Sequence, residues 1–141
     1  MRFAFDPKPV ENNPENVFNI LHEGGFHFSK SDPGAFIKFD FRSPKTVIGN
    51  SIFYTVVKGV RAYITSYKMS YSPLGDLYDE TPNYWVNPDT GSTIFPGIKT
   101  PQQQSAFVLF QAQSARTVKF EPLAFVHAMA FRMLFLFCSG K

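Results

Sequence analysis

The segment from Arg61 to Ser72 constrains the fold more than any other stretch of the chain. It alternates strictly: Tyr63, Thr65, Tyr67, Met69 and Tyr71 fall on one side, and Ile64, Ser66, Lys68 and Ser70 on the other. A period of two over ten residues is the pattern of a strand with two unlike faces and does not suit a helix. The same rhythm returns in AFIKFDF (Ala35 to Phe41), where Ile37, Phe39 and Phe41 are expected to be buried. TVIGNSIFYTVV follows, rich in β-branched and aromatic residues. QSAFVLFQ and ARTVKFEP read as a pair of later strands. Eleven prolines and nine glycines break the chain at short intervals. SPLGD (Ser72 to Asp76) and NPDTG (Asn87 to Gly91) read as turns. Many short strands joined by turns is the signature of an all-β domain.

A chain of 141 residues suits one domain. Seventeen Phe, six Tyr and one Trp supply the apolar bulk for its core. Met1 to Asn16 is polar and carries Pro7, Pro9 and Pro14, so residues 1–15 are expected to form an extended arm, anchored by Phe3 and Phe5. The domain proper then spans 16–141. Glu15 to Phe28 is expected to open with a helical turn and to loop through Gly24 and Gly25. The last apolar stretch, Leu123 to Phe137, permits a helix by periodicity. Its dense Phe content favours a strand.

Several function classes find no support. The net charge is +3, without the basic stripe of a nucleic-acid binder. The stretch AFVHAMAFRMLFLF is interrupted by His127 and Arg132 and is too short to span a bilayer as a helix. No G-x-S-x-G, phosphate loop or recognisable Cys–His pair occurs, so no catalytic residues are assigned and an enzyme is not expected. Cys138 has no partner for a disulfide and is expected to be a buried, inert thiol. With no signal-peptide core and no Asn-x-Ser/Thr acceptor, a cytoplasmic setting is expected, or an extracellular one if a signal peptide has been removed. His22 and His27 are five apart, which is poor spacing for metal ligation, and the acidic turn at Asp76, Asp79 and Glu80 is expected to face water.

The blocks AFIKFDF, SPKTVIG, YITSYKMSYSPLG, STIFPG, ARTVKFEP and FRMLFLFC stand in one order. That ordered set resembles the discoidin domain family, also called F5/8 type C or galactose-binding-like, from about Asn16 to Cys138. Phe36 takes the place of the family's leading tryptophan, and Asp40-Phe41 that of its acidic–apolar pair. The resemblance implies an all-β fold, an antiparallel jelly-roll β-sandwich. It implies non-catalytic recognition through loops at one end, with carbohydrate as the leading ligand.

By the same resemblance, two loops carry the site. Asn19 to Phe28 offers His22, Glu23, Phe26 and His27. Phe53 to Tyr63 offers Tyr54, Lys58, Arg61 and Tyr63. Sugars need planar hydrogen-bonding groups for hydroxyls and an aromatic face for C–H patches, and these residue types supply both. Beyond the reduction of the family's first strands and first ligand loop to a short arm, this sequence departs from the family in two respects. The opening cysteine is missing, and Leu134 stands where calcium-binding members carry a Glu. Structural calcium is therefore disfavoured and no cofactor or metal is expected. Two other partners fit the sequence. One is a protein in a larger cytoplasmic assembly, docked through Tyr84 and Trp85. The other is an anionic phospholipid membrane, met by Val56, Val57 and Lys58 at a loop tip.

Overall fold

A computed structural model describes residues 1–11, 13–19 and 24–138. Nine strands are described: β1 (Arg2–Asp6), β2 (Phe26–His27), β3 (Phe36–Phe53), β4 (Thr55–Val57), β5 (Val60–Ser72), β6 (Asn83–Tyr84), β7 (Phe95–Pro96), β8 (Ser105–Val126) and β9 (Ala130–Phe137). A 3-10 turn covers Pro14–Phe18, as the helical turn expected there. All the pairings are antiparallel, and the order runs β2-β9-β3-β8-β5-β4, with β1 added on β3 and β6 and β7 on β5.

Two strands organise the sandwich. β3 and β8 run through both of its halves, and register shifts at Asp40/Lys45 and Val47/Gly49 let them bend. Their early and late portions belong to different layers. In the larger layer, residues 37–40 of β3 pair with β1 and with residues 117–120 of β8, which pair in turn with β5. In the smaller layer, residues 49–53 of β3 lie between β9 and residues 105–109 of β8. QSAFVLFQ and ARTVKFEP are thus one bent strand, not two. A bend cannot be read from composition, because each half keeps its own clean alternation.

Phenylalanine fills the space between the layers. Ile37, Phe39, Val118 and Phe120 point inward from one, and Phe131 and Met133 from the other, all fully buried. Rings meet across the gap, Phe39 with Phe135 at 5.0 Å and Phe120 with Phe131 at 4.7 Å. A polar tie crosses with them: the Tyr67 hydroxyl of β5 donates to Asn50 Oδ1 of β3 at 3.1 Å, both side chains being buried. Burial pushes the Tyr67 phenol well above its ordinary range, so it stays a protonated donor.

Several expectations need correction. Tyr67, Met69 and Tyr71 do pack on the core, but so does Ile64. Register shifts between Ile64, Ser66 and Tyr67 reverse the phase of β5, so Tyr63 and Tyr67 do not share a face assignment with Thr65. Trp85 is 2% exposed and caps the core, its ring 4.4 Å from Tyr71 and 4.7 Å from Phe110, and its Nε1 donates to the Gln111 carbonyl. It is not an open interface anchor, although Tyr84 is exposed. Cys138 is exposed, not buried. The arm, by contrast, is extended and anchored by Phe3 and Phe5 as expected, and its residues Arg2–Asp6 pair with β3. The stretch Leu123 to Phe137 is neither helix nor single strand. It turns at His127, whose φ is 70°, and returns as β9.

Away from the turns just described, Asp40 anchors the bend in β3. Its buried carboxylate accepts from Arg116 Nε and Nη2 at 3.0 and 3.2 Å and from the Arg42 N–H at 2.8 Å. Burial pushes this carboxyl up, but the bonds from Arg116 and Arg42, with the charges of Arg116 and Arg2, outweigh it and hold the group below its usual range.

Candidate functional site

The second candidate loop is a tight hairpin. β4 and β5 pair as far as Val57↔Val60, so Lys58 and Gly59 alone form the turn. Their φ values, 52° and 77°, are both left-handed, as a two-residue turn matched to strand twist requires. Lys58 is therefore held at the exposed tip. Val57 is packed on Ala62, Ala128 and Ala130 and does not project.

The described part of the first loop lies against this hairpin. The Thr55 hydroxyl donates to the Gly24 carbonyl. Gly25 follows with φ 119°, and a Cβ there would stand 2.8 Å from the Phe131 carbonyl oxygen. Only glycine allows so close an approach. His27 then pairs with Ala130 on β9. Between the two elements lies a cleft of about 150 Å³, lined by Glu11, Gly25, His27, Thr55 and Val56 among others. That is below the ~300–1,000 Å³ of sites that enclose a drug-sized ligand. It suits the edge of one ring or a single substituent.

Basic side chains gather around the cleft. His127, at the β8–β9 turn, has its Nε2 3.0 Å from the Val57 carbonyl. Burial, then the neighbouring His127 and Lys58, hold His27 below the ordinary histidine range. On the paired strand of the hairpin, opposite the cleft residue Val56, the Arg61 guanidinium lies 3.9 Å from the Tyr54 ring centroid, and Arg61 Nη1 donates to the Pro101 carbonyl at 2.9 Å. A guanidinium has five donors, and this bond takes one. Arg132, 6% exposed, donates from Nε to the Tyr54 carbonyl at 2.8 Å and holds that corner from beneath.

The candidate residues therefore divide. Tyr54, Lys58 and Arg61 come together on one hairpin, and His27 joins them across the cleft. His22 and Glu23 lie outside the described residues. Phe26 and Tyr63, 1% and 5% exposed, are core residues and present no surface to a ligand. Phe26 is one of the rings that meet Phe28 and Phe131. The Tyr54 ring has Arg61 over it at 3.9 Å and Arg132 at 5.3 Å from its centroid. Thr55 and His127 were missed. A threonine in a β-rich run carries no signal of its own, and His127 looked only like an interruption of an apolar stretch. Among the described residues no cluster of three metal-ligating side chains forms.

Against known proteins, no family model and no curated protein matches the sequence. Solved structures do match in shape. Discoidin II from Dictyostelium discoideum superposes with a TM-score of 0.72 at 15% identity, over 99% of this chain and 55% of that one. The CBM32 of AlyQ, in complex with 4,5-unsaturated mannuronic acid, gives 0.62 at 16% identity over 96% and 94%. Chitosan-binding module 2 from a chitosanase/glucanase of Paenibacillus sp. IK-5, in complex with chitotriose, gives 0.63 at 14% identity over 96% and 94%. The chain has the discoidin-like β-sandwich fold, the one its ordered blocks implied. It spans just over half the length of the discoidin II chain.

Proposed function

We propose that this chain is a non-catalytic carbohydrate-recognition module that binds sugar at the hairpin end of the sandwich. One observation carries the reading: Gly24, Gly25 and His27 and Thr55–Val57, parts of two loops distant in sequence, close on one cleft, and Lys58 is the exposed tip of the same hairpin. Arg61 and His27 supply donors for hydroxyl or carboxylate oxygens, and Glu11 supplies an acceptor. Structural neighbours described as binding mannuronic acid and chitotriose support the ligand class. The small size of the cleft favours a terminal residue over an enclosed chain.

A glycan array with the wild type, Arg61→Ala and His27→Ala tests this. Retention on at least one sugar, lost in both variants while each still melts cooperatively, is the expected result. An array blank at every sugar removes the proposal.

A second reading, docking onto a protein partner, draws on the outer face of the smaller layer. Phe107 and Leu134, 57% and 41% exposed, flank Ser51 there, and Leu109 is 54% exposed. A stable partner co-purifying from native extract and released by Phe107→Lys would favour it. Lipid binding ranks last, since Val57 is committed to packing.

A further inference from the structure

The outward face of the larger layer holds a second recess, remote in sequence from the cleft. Lys38 of β3 and Lys119 of β8 stand directly opposite one another there. Like charges facing across a strand pair are destabilising. Neither ammonium is dispersed into solvent. Lys119 has 28% of its side chain exposed, and Lys38 donates to the carbonyls of Leu77 at 3.1 Å and Asp79 at 2.8 Å. Burial first, and then Lys119, hold Lys38 below the ordinary lysine range even with Asp79, Asp76 and Glu80 nearby.

Those carboxylates have other commitments. Asp76 Oδ1 accepts the Tyr78 N–H at 2.9 Å, and Asp79 Oδ2 accepts the Asp76 N–H at 3.0 Å. Glu121 accepts the Tyr84 hydroxyl at 3.2 Å and lies 4.0 Å from Lys119. Glu80 is exposed.

Above the two lysines residues 78–82 and Tyr84 border an open groove of about 370 Å³, with Asp79 and Glu80 on its rim facing Lys38 and Lys119. This falls within the range of ~300–1,000 Å³ seen for small-molecule sites. Two tyrosines line it. Tyr78 is 83% exposed and Tyr84 43%. The backbone that carries Tyr78 is tied down on both sides. Gly75 bonds to Ser72 and Thr117, and the Ser70 and Thr81 hydroxyls meet at 2.8 Å in a buried pair. The ring is thus carried on a segment held by hydrogen bonds, with the Arg2 guanidinium 5.9 Å from its centroid. It is preorganised to cover a flat apolar surface with little further ordering cost.

We propose that this groove is a second ligand site for an acidic saccharide, with the sugar carboxylate between Lys38 and Lys119 and a pyranose ring laid on Tyr78. The carboxylate offsets the repulsion between the two ammonium groups. The ring's C–H face meets the tyrosine, and Tyr84 closes the far side.

Amide chemical-shift mapping with tri-galacturonate, and with galactotriose as its neutral counterpart, tests the site. Tri-galacturonate is expected to move the amides of Asp79, Thr81, Tyr84 and Lys119. Tyr78→Ala is expected to weaken binding at these amides about tenfold without changing the melting temperature. Lys119→Gln should erase the preference for the acidic probe, and Arg61→Ala should leave the groove unaffected. No movement at these amides, movement confined to residues 24–27 and 55–58, or equal movement with both probes would each overturn the proposal. Because the groove is read out at its own amides, its failure is distinguishable from failure of the hairpin site.

Discussion

Removing the Tyr67 hydroxyl should cost the fold more than one oxygen atom suggests. Tyr67 is 1% exposed and Asn50 is fully buried. The bond between them at 3.1 Å joins β5 of the larger layer to β3 of the smaller. Asn50 Nδ2 finds no partner among the described residues, so the Tyr67 hydroxyl is the side chain's one described bond. Tyr67→Phe keeps the ring against Phe95 and Phe120, at 5.7 and 5.0 Å, and removes only the donor. The Asn50 amide is then left dry on both its atoms. A polar group stranded in this way costs about 1–3 kcal/mol. For a chain of this length each kcal/mol moves the melting temperature by roughly 3 °C, so a fall of about 3–10 °C is expected. Asn50→Leu alone should cost a similar amount by stranding the phenol. The double variant should recover much of the loss, with a coupling of about 0.5–3 kcal/mol in a double-mutant cycle followed by urea unfolding. A Tyr67→Phe protein that melts with the wild type, or costs that simply add, would refute the reasoning.

Three further outcomes are expected. Gly25→Ala forces a Cβ to within 2.8 Å of the Phe131 carbonyl at a φ of 119°. It should lower stability by about 1–3 kcal/mol and weaken sugar retention together, as read by melting and by array. His27 has a lowered pKa in the folded chain, so the unfolded chain takes up more protons as pH falls. Stability should therefore decline from about pH 7 downward until the folded pKa is passed, and His27→Gln should flatten that part of the melting-temperature profile. Asp40 is depressed below 3.8, so its contribution is present above that value and is lost as pH falls through the folded pKa. Asp40→Asn should be less stable at neutral pH and lose less on acidification, as measured by melting at stepped pH.

Much of the fold was legible because its signals are local. The alternation of Ile37, Phe39 and Phe41 in AFIKFDF needs no tertiary information, and all three are buried as expected. What was not legible depends on backbone irregularity. The phase reversal near Ser66, the bend joining the two halves of β8, and the reversal at His127 each arise where a few residues depart from the regular ladder. No residue type demands those departures. Loops were placed at one end by resemblance, whereas the contact of Thr55 with Gly24 depends on tertiary packing that no local pattern carries. Which side chains face outward was another matter. Phe26 and Tyr63 fall in the two loops that the resemblance assigned to the site, yet the strands that carry them turn both rings inward. The Lys38–Lys119 pair was invisible, because its two members lie far apart in the chain and only register brings them together.

Because β3 and β8 each run unbroken through both layers, neither half of the sandwich has an independent boundary at which it can come apart. Fraying one layer means pulling on backbone that belongs to the other. The lysine groove sits on both strands directly, and the hairpin rim is joined to them through β4, which follows β3, and β5, which pairs with β8. A ligand that steadies either one is expected to slow exchange of amide protons at both, by making the whole shell open less often.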